Sequence, residues 1–353
     1  MSGDREQELL AAVRRAREGG RPLEIRGSGS KAFYGRAPAG EPLSVAAHRG
    51  VVNYEPKELV VTARAGTPLA ELEETLAAAG QMLPFEPPRF GPGATLGGTI
   101  ACGFSGPRRP FLGSARDFVL GVRLINGRGE VLHFGGEVMK NVAGYDISRL
   151  MTGALGTLGL LLEVSLKVLP APEEEQTQVL ELDQAEAIDT MNRWAGRPLA
   201  LSGAAWDGMR LYLRLSGTAD AVAAGRTRVG GEPLAEGARF WRSLRELEGG
   251  FFERPGPLWR LSVPPGTPPL DLPGRQFLDW GGAQRWLTGE ASEAAVRRAA
   301  GEAGGHATLF RGGDREAERF HPLAPPLMAI HRNLKRAFDP DAILNPGRLY
   351  GGL

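Results

Sequence analysis

The sequence lacks most of what would build a metal centre or a disulfide framework. A single cysteine, Cys102, stands among 353 residues. No intrachain disulfide can form, and a four-thiolate iron–sulfur or zinc site cannot be assembled within this chain. Histidine is scarce as well, at five residues, and no pair shows the H-x-H or H-x-x-x-H spacing of metal ligands. An excess of charge is missing: 42 basic residues face 41 acidic ones, for a net +1. That balance excludes the electrostatic footprint of a nucleic-acid or acidic-membrane binder. Long apolar runs are absent too. The richest stretch, about residues 150–162, is too short and too glycine-laden to span a bilayer. The opening MSGDREQELLAAVRRARE is charged and helix-patterned, without the apolar core or cleavage site of a signal peptide. A cytoplasmic protein is the expectation.

What is present in excess is glycine, 50 residues against an ordinary usage of ~7%. Part of this reflects a chain rich in Ala, Arg, Gly and Pro, but the glycines concentrate in residues 91–106 and 144–159. Glycine serves where backbone turns sharply or approaches a ligand closely. The apolar share of 42% and the charged share of 24% are those of a soluble globular protein. The length predicts two structural units.

Periodicity places a helix over residues 5–18, with Leu9, Leu10, Val13 and Ala16 on one face, then a short strand at 23–26. ELVVTAR at 58–64 reads as a strand, followed by a helix that Thr67 caps, Pro68 opens and Gly80 closes. DFVLGVRLINGRGEVLHF at 117–134 reads as a hairpin around Asn126-Gly127. Residues 162–168 alternate, with Leu162, Val164, Leu166 and Val168 on a buried side and Glu163, Ser165 and Lys167 on a wet or polar-lined one. After Pro170, PAPEEEQT reads as a linker-like turn. Beyond it come strand signals at TQVLELD, 209–216, 257–265 and 306–310, with helices at roughly 184–195 and 292–303. These predict a smaller α/β unit with antiparallel strands. The tail, 322–353, forms a helix and ends in DPDAILNPGRLY.

Three glycine-bearing stretches carry the chemistry. RGSGSKA at 26–32 satisfies G-x-G-x-x-G/A, but a Rossmann loop needs a helix directly after it to receive a pyrophosphate. Here FYGRAPAGEP follows, and its four glycines and prolines prevent one. The Walker spacing ahead of Lys31 is wrong as well. What remains is a loop with exposed N–H groups and the Ser28 and Ser30 hydroxyls, flanked by Arg26 and Lys31. It is either a phosphate-cradling nest or a plain strand-to-loop turn. GPGATLGGTIACGFSG at 91–106 is thin backbone anchored by Leu96 and Ile100, suited to lie against something large and flat, or else a flexible surface loop. In KNVAGYDISRLMTGALGTLG, Gly156 and Gly159 would let backbone approach an adenine or ribose, or else make a tight helix-to-strand turn.

The order and spacing of RGSGSK, PGATLGGTIACG, KNVAGYDISRLMTGALGTLG and the terminal DPDAILNPGR resemble the p-cresol methylhydroxylase/vanillyl-alcohol oxidase type of FAD-binding flavoproteins. Within that family they are similar to the FAD-binding subunits of bacterial glycolate oxidases. The likeness covers nearly all of residues 5–170 and the last thirty or so. It implies an α+β fold, with a PCMH-type FAD-binding domain of two α/β subdomains over residues 1–170. A smaller α/β cap domain with an antiparallel sheet would occupy 171–320, and a C-terminal segment, 321–353, would return to the FAD domain. It further implies that Arg26, Gly27, Ser28, Gly29, Ser30 and Lys31 surround the FAD pyrophosphate. Gly93, Ala94, Thr95, Gly97, Gly98, Ala101, Gly103, Ser105 and Gly106 would run along the flavin and diphosphate. Gly153, Gly156, Gly159 and Leu160 would meet the adenosine end. Asn345, with Pro346 and Gly347, would return beneath the flavin edge. Lys140, Tyr145 and Asp146 match family positions, as cofactor contacts or as braces of the fold.

Related 2-hydroxy-acid dehydrogenases carry H-x-G-D-G-N-x-H, where a histidine acts as base on the substrate hydroxyl. That motif is absent here, and His306, His321 and His331 read as structural or surface residues. No catalytic and no metal-binding residue is assigned. The resemblance therefore implies an FAD-binding subunit of a complex that oxidises glycolate to glyoxylate. A catalytic flavoprotein subunit would hold the main substrate site, and an iron–sulfur subunit would accept electrons and could bring the complex to a membrane. The alternatives are a self-sufficient FAD-dependent 2-hydroxy-acid dehydrogenase and a non-redox structural subunit of the same complex. Trp206, Trp241, Trp259, Trp280 and Trp286 could anchor partners, or pack within the cap. Cys102 lies in the flavin stretch, but buried thiols mostly act as small hydrophobes, so FAD is expected to be noncovalent.

Overall fold

A computed structural model describes residues 3–136 and 145–353. The chain forms two compact units. The first comprises residues up to Phe104, Ser114–Ala171 and Arg315–Leu353; the second comprises Ser105–Gly113 and Pro172–Asp314. No described helix is long and apolar enough to cross a membrane.

The first unit is built on a five-stranded antiparallel sheet in the spatial order Val51–Glu55, Val60–Arg64, Leu160–Lys167, Val119–Ile125, Val131–Gly135. Its middle strand is buried along nearly its whole length. The polar side foreseen for that strand is lined rather than wet: Ser165 is buried 2.8 Å from the Thr62 hydroxyl, and Glu163 faces Arg123 at 3.7 Å. A parallel pair, Leu23–Arg26 with Glu41–Ser44, forms a separate small sheet. The helix Glu6–Glu18 buries Leu9, Leu10, Val13 and Ala16 against Leu23, Val45, Leu160 and Leu162, as its periodicity predicts.

Several local expectations are corrected. The helix Leu69–Ala77 has no side-chain cap; the Thr67 hydroxyl instead bonds the Gly50 backbone. The hairpin loop is five residues rather than a tight Asn-Gly turn. Asn126 accepts from the amides of Arg128 and Glu130, and the left-handed residue is Gly129, at φ 71°. Gly127 is small for another reason. A Cβ there would lie 2.1 Å from Asp339 Oδ1, where the tail crosses the hairpin. The glycine-rich run 91–106 is not continuous thin loop, since Leu96–Cys102 is helical, capped by Thr95 Oγ1 on the Gly98 amide. The stretch read as a linker is short, because the strand Glu174–Glu181 begins inside it.

The second unit is an eight-stranded sheet ordered Glu232–Pro233, Glu174–Glu181, Arg210–Gly217, Leu201–Trp206, Arg275–Asp279, Gln284–Thr288, Leu258–Ser262, His306–Arg311. Every pairing in it is antiparallel. Helices Gln184–Ala195, Ala219–Val229, Gly237–Glu246 and Glu293–Glu302 accompany it. The five tryptophans considered as partner anchors are buried in this unit. Trp206 donates to the Leu182 carbonyl, Trp241 to the Thr177 hydroxyl and Trp280 to the Gly106 carbonyl, as expected of indoles inside a core. Ser105–Gly113 belongs here through such ties, including an ion pair between Arg108 and Glu175.

The tail closes the first unit. The helix Pro325–Phe338 presents Lys335, whose Nζ donates to Asp339 Oδ2 at 2.7 Å and to the carbonyls of Thr157 and Leu344 at 2.8 Å each. Asp339 in turn accepts from the amides of Ile343 and Leu344. All three ammonium protons are used, which is what a buried lysine requires. Burial lowers the Lys335 pKa, and Asp339 opposes that shift. The next residues run beside the first strand, Leu344 bridging Leu23 in parallel. Asn345 Oδ1 then accepts from the Ile25 amide at 2.7 Å, while its Nδ2 donates to the Leu155 carbonyl at 2.7 Å.

Two measurements check this account. Asn345→Ala leaves the Ile25 amide and the Leu155 carbonyl unpaired, at ~1–3 kcal/mol each. Equilibrium urea unfolding should therefore show a loss of about 2–5 kcal/mol, and a loss below ~0.5 kcal/mol would contradict the tie. His48 is buried, and its Nδ1 accepts from the Arg5 amide. Burial, chiefly, holds the ring's proton affinity below the ordinary 6.5; Asp4 and Glu6 act against this and Arg64 with it. The folded chain then binds fewer protons than the unfolded chain just below 6.5. This contribution to stability is intact above that pH and declines as pH falls toward the folded pKa. His48→Asn, which keeps an acceptor for Arg5, should flatten the stability profile below pH 6.5 in a urea series.

Candidate functional site

The first unit carries a groove whose walls come from six places in the chain. Glu24–Ala32 forms one side. Val45, Ala65, Thr95, Gly97, Gly98, Ala101 and Cys102 form another. Met151, Ala154, Leu155, Gly156, Gly159 and Leu161 follow, and Asn345 and Arg348 complete the lining. Its atom-free space is about 840 Å³ with the open mouth included, and the groove forms a slot.

Glycine makes the slot possible at defined places. A Cβ on Gly27 would fall 2.2 Å from Thr95 Oγ1, displacing the hydroxyl that caps Leu96–Cys102. A Cβ on Gly97 would fall 2.7 Å from that of Ala65. Gly156 lies at φ 72°, with Asn345 Nδ2 2.7 Å from where its Cβ would be. Larger residues at these positions would push the walls apart.

One wall is polar in a specific sense. The amides of Gly27, Ser28 and Gly29 have no acceptor among the described residues, and Ser28 Oγ already accepts from the Ser30 amide at 3.3 Å, leaving its O–H to donate. Four carbonyls from Gly29 onward are claimed. Gly29 O takes the Ala32 amide and Lys31 O the Tyr34 amide. Arg348 donates to Lys31 O and Tyr34 O, and Arg315 donates to Ala32 O. Consecutive unbonded amides of this kind can form a nest for an anion. Lys31 is buried, its Nζ donating to the Arg89 carbonyl at 3.1 Å. Away from this wall the lining is small and apolar, able to enclose a flat ring. Cys102 lies among these residues; burial raises its thiol pKa, while Lys31 and Arg348 pull it down.

Of the residues expected to meet a cofactor, the slot brings together Arg26, Gly27, Ser28, Gly29, Ser30, Lys31, Thr95, Gly97, Gly98, Ala101, Gly156, Gly159 and Asn345. The others lie elsewhere. Gly93 packs on the Ser28 side chain, and Gly103 packs on Gly153. Ala94 and Leu160 are core residues. Ser105 and Gly106 belong to the second unit. Lys140 lies outside the described residues; Tyr145 opens the helix Tyr145–Leu150, and Asp146 beside it is exposed. None of His306, His321 and His331 lines the slot. The reading of the sequence missed Val45, Ala65, Met151, Ala154, Leu155, Leu161 and Arg348. Arg348 had a signal, standing directly after Asn345-Pro346-Gly347; the apolar residues had none, since core and slot draw on the same types.

Comparison with known proteins places this geometry. Residues 3–135 match the FAD binding domain family. The chain is 51% identical over 350 residues, 99% of each chain, to glycolate oxidase subunit GlcE of Escherichia coli (strain K12). It is 29% identical over 168 residues to glycolate oxidase subunit GlcD of Bacillus subtilis (strain 168), a match that covers 47% of this chain and 36% of that one. The solved structure of an alkyldihydroxyacetonephosphate synthase superposes on 96% of this chain and 74% of its own. The TM-score is 0.67 at 16% identity, a likeness of fold. A slot for an anionic ligand, on a PCMH-type α+β fold, in a chain half identical to a GlcE subunit from end to end, leads to one conclusion: the protein belongs to the GlcE family of glycolate oxidase subunits, FAD-dependent oxidoreductases built on the FAD binding domain.

Proposed function

We propose that the slot holds FAD noncovalently, and that the protein serves as the FAD-bearing subunit of a hetero-oligomeric complex oxidising glycolate to glyoxylate. Electrons leave through an iron–sulfur subunit, and the principal substrate site lies in a second flavoprotein subunit. The observation that carries this reading is the row of free amides at Gly27, Ser28 and Gly29 beside buried Lys31 and Arg348. Donors arranged this way suit a diphosphate bridge. The small-residue walls to either side suit flat ring systems. The reading takes the first unit as the FAD domain and the second as a cap.

When bound, FAD supplies a two-electron acceptor. The chain's own contribution is to hold and shield it. The loop at 27–31 donates hydrogen bonds to anionic oxygens, and Thr95 keeps the helix Leu96–Cys102 pressed along the slot. Met151, Ala154 and Leu161 exclude water from the floor. No histidine lines the slot, so a base for the substrate hydroxyl comes from a partner in this reading. The full-length likeness to a protein named as a glycolate oxidase subunit supports both the substrate and the multi-subunit setting.

The visible spectrum of the purified chain tests the proposal. Flavin absorption is expected, with the flavin released on denaturation. Glycolate should leave it unbleached in the isolated chain and bleach it in the complex co-expressed with both other subunits. A colourless protein that takes up no FAD after refolding with an excess would overturn the reading, and bleaching of the isolated chain would overturn the need for a partner. Gly27→Ala gives a sharper check. The intruding Cβ shifts Thr95 and the nest with it, and fluorescence titration should show FAD affinity reduced at least ~tenfold, about 1.4 kcal/mol.

A further inference from the structure

Arg348 sits only 8% exposed at the slot. Its guanidinium bonds carbonyl oxygens alone: Tyr34 O at 3.2 Å and Lys31 O at 3.5 Å. No carboxylate lies within ion-pair distance of it among the described residues. A buried cation without an anion is expensive to maintain. The slot's formal charges sharpen the point. Arg26, Lys31 and Arg348 face a single acid, Glu24, which already lies 3.9 Å from Arg26. Burial lowers the Arg348 pKa; Cys102 opposes that shift, Arg315 adds to it, and Glu24 opposes it more weakly. The rest of the tail holds the same loop from the same side. Arg315 bonds Ala32 O and Arg36 O, while Arg36 Nε bonds Gly347 O.

We infer that Arg348 is a positioning residue that makes the slot selective for a diphosphate-bearing ligand. By holding the carbonyls of Lys31 and Tyr34 it fixes the backbone that directly follows the unbonded amides of Gly27, Ser28 and Gly29. By carrying unmatched charge it favours an anion against that loop. The flavin ring and the adenine need neither effect, so Arg348 acts on the diphosphate part of the ligand alone. This inference rests on the reading that the slot holds FAD.

The test compares ligands with and without the diphosphate. Apo protein is titrated with FAD, riboflavin and inorganic pyrophosphate, for the wild type, Arg348→Met and Arg348→Lys. Arg348→Met should weaken FAD and pyrophosphate by about thirtyfold or more, as expected for loss of a charge-assisted arrangement, and riboflavin by less than about threefold. Arg348→Lys restores the charge without the two-carbonyl bond and should fall between the two. An equal loss for FAD and riboflavin marks a merely structural role and overturns the inference, as does no loss for either. Should Arg348→Met not fold, the lysine variant carries the test through the same selectivity: a loss confined to the diphosphate ligands supports the inference, and an equal loss or none overturns it. If the wild type itself binds neither FAD nor pyrophosphate, the slot reading falls and this inference falls with it. Wild-type FAD binding with unselective variants removes Arg348 alone.

Discussion

Asn345 holds the slot together by joining three pieces of chain that are remote in sequence. Its side-chain oxygen takes the amide of Ile25, which leads into the 27–31 loop, and its side-chain nitrogen reaches the carbonyl of Leu155, which leads into the Gly156 corner. Its own backbone amide bonds Leu23 O. The residue stands at φ 41°, a left-handed geometry that asparagine tolerates better than most side chains do. Without this amide the loop, the corner and the tail would be three neighbouring surfaces. With it they are one wall, because a strand amide and a turn carbonyl depend on a single side chain for their partners.

The tail supplies the counterweight to the glycine loop. Arg315, Arg36 and Arg348 all bond backbone carbonyls around residues 31–36 or the tail itself, while Lys335 ties the last helix to Thr157 and Leu344. Long cationic side chains are well suited to this, since each satisfies several carbonyls from one anchor point. The arrangement also explains how a nest can form without a following helix. In a Rossmann loop the helix N-terminus orients the amides; here the carbonyl side of the loop is fastened from behind, and the amide side is left free.

The second unit uses polar groups differently. Its five buried tryptophans and the ion pair between Arg108 and Glu175 stabilise an antiparallel sheet and attach the excursion Ser105–Gly113 to it. Arg214 shares Glu175 at 3.9 Å, and the Ser216 hydroxyl donates to the same carboxylate. A carboxylate with this many donors ties the excursion, through Arg108, to the strand Arg210–Gly217, which carries both Arg214 and Ser216.

Local patterning determined much of the fold from the sequence alone. The helix read at 5–18, the strands read at 23–26, 58–64 and 162–168, and half of the second unit's strands and helices follow from apolar spacing, because burial of one face imposes a period on the side chains. The failure of the Rossmann pattern was legible for the same reason: glycines and prolines after Lys31 forbid a helix. Only the tertiary structure decided what each small residue is for. Gly27, Gly97 and Gly156 line the slot, whereas Gly103 makes way for the Gly153 backbone and Gly127 for Asp339. A missing side chain leaves no trace of its neighbour in the sequence, and that neighbour lies from about thirty residues away, as for Gly97 and Ala65, to about two hundred, as for Gly127 and Asp339. The tryptophans and Arg348 teach the same lesson from the other direction. Their types suggested partners or went unremarked, and their roles were fixed by which buried carbonyls and hydroxyls the fold brought within reach.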